Sequence, residues 1–346
     1  MKRLETERLI MRKFTEDDFA AIHSYGSSAE NTVYMLFGPN SEEQTMDYIK
    51  SAISRAEAEP IVDYIYAVIL KESGKLIGCG DINISDDKGE LGWIIHRDHW
   101  KCGYCTELGK ELMRFAFEEL KLRRLIARCD ADNIGSYRVM EKLGMRREGH
   151  FFDVRPPHKQ SDRQFGDELL YAILKEEWYI QKEIEHYNAL PCEFDGFANI
   201  PKLESKDIYL VCTAKTPENP EKKYVPSYDF AICKNSEKIG AINLRIGYGG
   251  GPFNSNLYYG GQIGYNIDEA HRGNGYAAEA CRLLLPIAKA HKMPKLLITT
   301  NYTNTASIRV CEKLGAKLLR KARLPEWHDL YYGAGMRFVN IYEVNV

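Results

Sequence analysis

The chain has 346 residues, of which 44% are hydrophobic and 28% charged, and its formal net charge is -2. That length suits two hydrophobic cores better than one, and the composition excludes a largely disordered chain. The balanced charge leaves no footprint for nucleic acid: the basic stretches at 121–124 and 146–147 are flanked by acids and read as solvated faces. The opening Met1-Lys2-Arg3-Leu4-Glu5 lacks the apolar run of a secretion signal, and the apolar stretch at 61–70 is short and broken by Asp63, so no membrane span is expected. Nine cysteines follow no disulfide pattern, which fits a reducing compartment, and the cytoplasm is the expected location.

In chain order, residues 10–64 leave room for two helices ahead of a strand at 75–84 bounded by turn residues. Glu90-Leu91-Gly92-Trp93 reads as the next strand. A glycine turn follows at 100–105, then a helix at 106–120 with Leu108, Leu112, Phe115 and Leu120 near helical spacing. A strand at 125–129, a short helix at 136–143 and a glycine stop complete the first half. A boundary is expected between Trp178 and Cys192. The same series then recurs. Glu90-Leu91-Gly92-Trp93 returns as Gln262-Ile263-Gly264-Tyr265, an offset of 172, and His99, Gly103-Tyr104 and Glu107 return as His271, Gly275-Tyr276 and Glu279. Asn133-x-x-Ser136-x-Arg138-Val139-x-Glu141-Lys142-Leu143-Gly144 returns as Asn304-x-x-Ser307-x-Arg309-Val310-x-Glu312-Lys313-Leu314-Gly315, an offset of 171. Three blocks in order, with offsets that differ by a single residue, mark a duplicated domain. Strand, helix, strand, helix implies α/β layering with parallel pairing around the crossover. The second helix, at 277–290, contains Pro286, where a kink is expected. The second copy has only residues 209–228 where the first has 10–64, so its cleft should be open unless the first domain or the 249–261 loop covers it.

The chemistry centres on Arg272-Gly273-Asn274-Gly275-Tyr276-Ala277, placed after a strand and opening a helix. Glycines let successive N–H groups converge at a helix N-terminus, a favourable seat for a pyrophosphate. This run resembles the acetyl-CoA loop of the GNAT N-acetyltransferase superfamily, Gln/Arg-x-x-Gly-x-Gly/Ala. Trp100-Lys101-Cys102-Gly103-Tyr104-Cys105 fits that pattern less well, with Trp100 at the first position and Cys105 at the last. Trp100, the opening Glu5-Thr6-Glu7-Arg8-Leu9, the Asn133 block and the closing Asp167-Glu168-Leu169-Leu170-Tyr171-Ala172 are similar to the ribosomal-protein (Rim-type) branch.

The resemblance implies an α/β protein of two tandem GNAT domains, each a mixed central sheet flanked by helices. The expected bounds are 1–180 for the first and 192–346 for the second, which has a shortened helical segment at its front. It implies transfer of acetyl from acetyl-CoA to a primary amine, either a protein N-terminus or a small molecule, by direct attack on the thioester. Besides the two loops, Asn133, Asn304, Ile95 and Ile267 are implied to contact the cofactor, with oxyanion-stabilising N–H groups at 93–95 and 265–267. Glu90 is the candidate general base; the second copy has Gln262 there, which accepts no proton near neutrality. Ser136 and Ser307 are the candidate proton donors to the leaving thiolate, because Met140 and Cys311 stand where many relatives carry a tyrosine. Asn133 and Asn304 also read as helix N-caps, and both roles can hold at once. The alternative is a binding or regulatory protein with one or both domains inactive. No metal is expected, and either a monomer with an internal pseudo-dimer or a homodimer is.

Other signals are set aside. Cys102-x-x-Cys105 has no second pair to complete a zinc site, and His96-x-x-His99 lacks a metalloprotease pattern, its repeat at His271 suggesting a turn. The glycine-rich stretch 248–261 precedes no helix and reads as a hairpin or an acceptor-side loop. Trp327, Tyr331 and Tyr332 fit either core or pocket.

Overall fold

The computed structural model describes residues 1–221, 224–247, 256–326 and 328–346. The chain forms two compact units, Met1–Gln181 and Lys182–Val346. In the first, β1 (Leu4–Glu5) and β2 (Leu9–Arg12) lead into α1 (Phe19–Gly26) and α2 (Glu42–Ala56), then β3 (Asp63–Leu70), β4 (Leu76–Ser85) and β5 (Lys88–Ile95). There follow α3 (Tyr104–Arg114), a wider turn at Phe115–Glu119, β6 (Arg124–Asp130), α4 (Ile134–Lys142), β7 (Arg146–Arg155) and β8 (Gly166–Leu174). Helix α5 (Lys175–Asn188) contains the division between the units.

These eight strands form one sheet in the order β1-β2-β3-β4-β5-β6-β8-β7, in which only β5 and β6 are parallel. Helix α2 begins with a capping box: Gln44 N donates to Ser41 Oγ at 3.2 Å and Ser41 N donates to Gln44 Oε1 at 2.9 Å. Its buried face, Thr45, Ile49, Ala52 and Ala56, recurs at helical spacing and packs with α1 on one side of the sheet, around Ile65, Ala67, Cys79 and Ile94. On the other side α3 buries Leu108 and Leu112 against Tyr66, Ile82 and Leu91. The two sides therefore carry separate cores.

The second unit repeats the plan with a shorter front. Strands β9 (Tyr209–Thr216), β10 (Ser227–Lys234) and β11 (Glu237–Arg245) precede α6 (Asn256–Gly260) and β12 (Ile263–Ile267). Then come α7 (Tyr276–Ala290), β13 (Lys295–Asn301), α8 (Thr305–Lys313), β14 (Lys317–Arg323), α9 (Asp329–Tyr332) and β15 (Phe338–Asn345). No helix separates β9 from β10 among the described residues. Helix α7 continues through Pro286, so the proline does not end it. The glycine-rich residues 248–255 and Trp327 lie outside the described residues. Tyr331 and Tyr332 fall in α9, with Tyr332 74% exposed, so Tyr332 is not core.

The sheets of the two copies part at the same place and to different extents. In the first, β5 and β6 pair only over Lys88–Glu90 and Arg124–Ile126. In the second, β12 and β13 belong to separate sheets, β12-β11-β10-β9 and β13-β15-β14, so the expected single mixed sheet is there split in two. Gln262 bridges the break: its N–H donates to Leu297 O at 2.8 Å and its Oε1 accepts from Leu297 N at 2.6 Å. Beyond the last paired residue, strand N–H and C=O groups face the gap without a strand partner, leaving a polar edge open to a ligand.

Candidate active site

The opened strand is held against its neighbour by a repeated glycine. A Cβ at Gly78 would collide with the carbonyl oxygen of Ile94, and one at Gly240 with that of Asn266. The pairs Gly78↔Ile95 and Gly240↔Ile267 thus approach more closely than any side chain permits. From there the chain turns through Arg97–His99 in one copy and Glu269–His271 in the other. His96 caps the first turn, its Nδ1 accepting from Asp98 N at 3.2 Å, so the His96/His99 pair shapes a turn. Among the described residues no cluster of metal-ligating side chains occurs, and all nine cysteines, including Cys102 and Cys105, are free.

The two glycine loops are built alike. Gly103 and Gly275 adopt φ of +82° and +87° and act as N-caps of α3 and α7. The first helical bonds run from Glu107 N to Gly103 O and from Glu279 N to Gly275 O. The amides of Tyr104, Cys105 and Thr106, and of Tyr276, Ala277 and Ala278, therefore precede any helical acceptor and present donors at the positive end of the helix dipole. The unlike first residues of the motif make the same contact. Trp100 Nε1 donates to Ile95 O at 2.7 Å, and Arg272 Nε donates to Ile267 O at 3.0 Å. What that position requires is an N–H donor long enough to tie the loop to the strand end, which indole and guanidinium both supply. Asn274 steadies the second loop by donating to His271 O at 3.1 Å.

The loops differ in strain. Lys101 holds φ at +61°, where its counterpart Gly273 has φ of +85°. A side chain in the left-handed region costs about 1 kcal/mol. Lys101→Gly is accordingly expected to raise the urea midpoint of the full chain by an amount equivalent to about 0.5–1 kcal/mol, whereas Gly273→Lys should lower it.

Around the first loop, the opening Glu5–Leu9 motif has a physical role. Glu107, in the first turn of α3, accepts from Thr6 Oγ1 at 2.5 Å, Arg8 N at 2.8 Å and Arg8 Nε at 2.6 Å. Burial alone would raise the Glu107 pKa, but these bonds outweigh it and hold the carboxyl below its usual range. Arg8 also donates to Cys102 O at 3.1 Å and lies 4.5 Å from the centroid of the Tyr104 ring, placing a cation beside the loop. The second copy uses Lys234, whose ammonium stands 4.7 Å from the Tyr276 ring centroid and contacts its hydroxyl. Lys234 carries no motif signal, and the tie of Thr6 and Arg8 to Glu107 emerges only once the strands are laid beside the loop.

Across the gap, Asn133 and Asn304 are N-caps: their Oδ1 atoms accept from Ser136 N and Ser307 N, each at 3.1 Å. Ser136 and Ser307 are half-buried in the first turns of α4 and α8. In the second copy Tyr265 OH donates to Ser307 Oγ at 3.2 Å, and burial lifts the Tyr265 pKa above its usual value. Met140 and Cys311, at the place of the absent tyrosine, are buried.

On the strands, Glu90 is half-buried at the last paired residue, its Oε1 3.7 Å from Arg128 Nε. A second carboxylate, missed in the sequence, is Asp81 on β4, directly opposite Gly92. It stands three residues after Gly78, as Asn243 stands three after Gly240, and that parallel is the signal that would have found it. Burial first, then the charges of Glu90 and Asp63, push the Asp81 carboxyl up to about 6, with Arg55 opposing. The second copy has amides at both places, each bound to backbone: Asn243 Oδ1 accepts from Gly264 N at 2.9 Å, and the buried Gln262 donates to Gly247 O at 3.2 Å.

A split strand facing a glycine-capped helix, present twice, agrees with the comparisons. A family model described as an acetyltransferase (GNAT) domain matches residues 8–146 and again 177–317. The uncharacterized N-acetyltransferase YnaD of Bacillus subtilis is 34% identical over 178 residues, covering 51% of this chain and 98% of that protein. The FsC-acetyl coenzyme A-N(2)-transacetylase of Aspergillus fumigatus is 34% identical over 95 residues, 27% of this chain and 38% of that one. A GNAT-family acetyltransferase crystal structure from Bacillus anthracis shares 34% identity, covering 51% of this chain and 100% of its own, with a TM-score of 0.45. With the model matched over most of its length, in two successive stretches, the chain belongs to the GNAT acetyltransferase family.

Proposed function

We propose that the first copy transfers acetyl from acetyl-CoA to a primary amine, while the second binds acetyl-CoA without transferring it. The observation that carries this division is the exchange of Asp81 and Glu90 for Asn243 and Gln262 at the parting of the strands. An ionised carboxylate can accept a proton; an amide does not, and these two are already spent on backbone bonds. The loop, its helix and its tie to the strand end are kept in both copies, which supports cofactor binding in each. The acetyl coenzyme A in the name of the A. fumigatus relative supports the choice of cosubstrate.

In the first copy, N–H groups at 93–95, where β5 has parted from β6, would receive the thioester oxygen as it gains charge. A carboxylate on β4 or β5 would take a proton from the acceptor nitrogen, and Ser136 would pass one to the departing thiolate. The acceptor is a protein N-terminus or a small-molecule amine. Thiol release from acetyl-CoA should be assayed with the full chain across peptide N-termini, polyamines, amino acids and aminoglycosides. At least one class is expected to give amine-dependent release. Saturable acetyl-CoA binding with no release for any class would instead favour a purely regulatory protein.

A further inference from the structure

Three carboxylates share the face of the sheet that α1 and α2 cover: Asp63 on β3, Asp81 on β4 and Glu90 on β5. The register sets this, because Asp63 pairs with Asn83, Asn83 with Glu90, and Asp81 with Gly92 two residues further along the same face. Two of the three have cationic partners. Asp63 lies 3.4 Å from Arg55 of α2 and Glu90 lies 3.7 Å from Arg128 of β6. Asp81 has no ion-pair or hydrogen-bond partner among the described residues. Its carboxyl lies over the main chain of Gly92, where an added Cβ would collide with Oδ1 and fall 2.8 Å from Oδ2. Gly92 is two residues past the last β5–β6 pair, so this carboxyl stands at the start of the opened strand.

We infer that Asp81 is the general base of the first copy and that Glu90, on the neighbouring strand and the same face, is a positioning residue that acts through it. The inference rests on the proposed amine transfer. In the reaction the acceptor ammonium gives one proton to Asp81; the freed lone pair attacks the thioester carbon, and the C–S bond breaks. The nitrogen's second proton is relayed by Ser136 to the departing thiolate, which leaves as CoA thiol, and Asp81 returns its proton to solvent. Only the ionised carboxylate accepts, so kcat/KM should rise with pH through a limb near 6. The groups facing Asp81 are Glu90, Asp63, Cys79 on its own strand, and Arg55 and Tyr48 of α2. Removing the negative charge of Glu90 makes the Asp81 proton easier to lose, so the limb should move to lower pH.

The test uses the full chain, acetyl-CoA and whichever amine the release screen identifies, with acetyl-CoA affinity measured by calorimetry in parallel. Asp81→Asn is expected to lower kcat about 10²-fold or more and abolish the limb, with affinity for acetyl-CoA unchanged. Glu90→Gln should retain the limb and displace it downward. Near-normal turnover in Asp81→Asn, or loss of the limb in Glu90→Gln alone, overturns the assignment while leaving amine transfer standing. If wild type acetylates no amine, the transfer reading fails instead, and carboxyl NMR titration still judges Asp81. An aspartate signal titrating near 6, absent in Asp81→Asn and shifted down in Glu90→Gln, is expected; its absence from wild type overturns the inference.

Discussion

Full-length protein carrying Gly103→Val is expected to lose both turnover and one of two bound equivalents of acetyl-CoA, whereas Gly275→Val should lose the other equivalent and keep turnover. Both glycines hold positive φ at the N-cap of the helix proposed to receive the cofactor. A β-branched residue is strained there by roughly 2 kcal/mol. If the loop relaxes instead, the converging amides lose their aim at the pyrophosphate. A penalty of that size weakens binding about 30-fold. Among the described residues, the heavy atoms near a Cβ built at each glycine are side-chain ends at ordinary contact distance, Arg8 Nη2 at 3.5 Å and Lys313 Nζ at 3.6 Å, so the fold itself should survive. Calorimetry and thiol release on the same samples, with thermal melting as the folding control, separate the copies. Turnover lost with Gly275→Val and retained with Gly103→Val would reverse the assignment of the active copy.

A still larger effect on stability is expected from Gly78→Ala. The added methyl collides with Ile94 O and falls 2.9 Å from Ile95 Cα, and both are backbone atoms of a strand fixed by a ladder running from Ser85↔Lys88 to Gly78↔Ile95. Overpacking against atoms that cannot turn aside should cost about 3–4 kcal/mol, toward the upper end for single substitutions. Gly74→Ala is the control: its Cβ meets nothing within 4 Å, so only its φ of +67° is penalised, by about 1 kcal/mol. Urea midpoints for the two variants should differ clearly. Equal, small shifts would mean that β4 and β5 part with ease and that the close approach does not hold the opened strand.

The repeat was legible because its signals are short-range. Glycines at tight turns, the Asn-x-x-Ser caps and apolar helix faces each depend on a few neighbouring residues. The gap between the strands was less legible, since it arises from pairings absent in space. Nothing local in Lys88–Ile95 says that its ladder with β6 stops at Glu90, or that Gln262 bridges the second break with its side chain. Glu90 stands out because it sits in one of the repeated blocks, whereas Asp81 lies outside all three of them. The Trp100 replacement looked like a departure from the motif; the shared N–H donation to the strand end shows one contact met by two chemistries. The link from Thr6 and Arg8 to Glu107 spans 99 to 101 positions and becomes visible only when the chain is folded.

The division of labour between the copies is tested most directly by a single-turnover measurement. The full chain is loaded with acetyl-CoA to saturation without acceptor, and then mixed rapidly with the amine found in the release screen. Calorimetry should register two equivalents bound, and the rapid phase should liberate one equivalent of CoA thiol per chain, with the second held until it exchanges. Release of two equivalents in one fast phase would show that Asn243 and Gln262 do not silence the second copy, and a single bound equivalent would show that only one loop holds the cofactor.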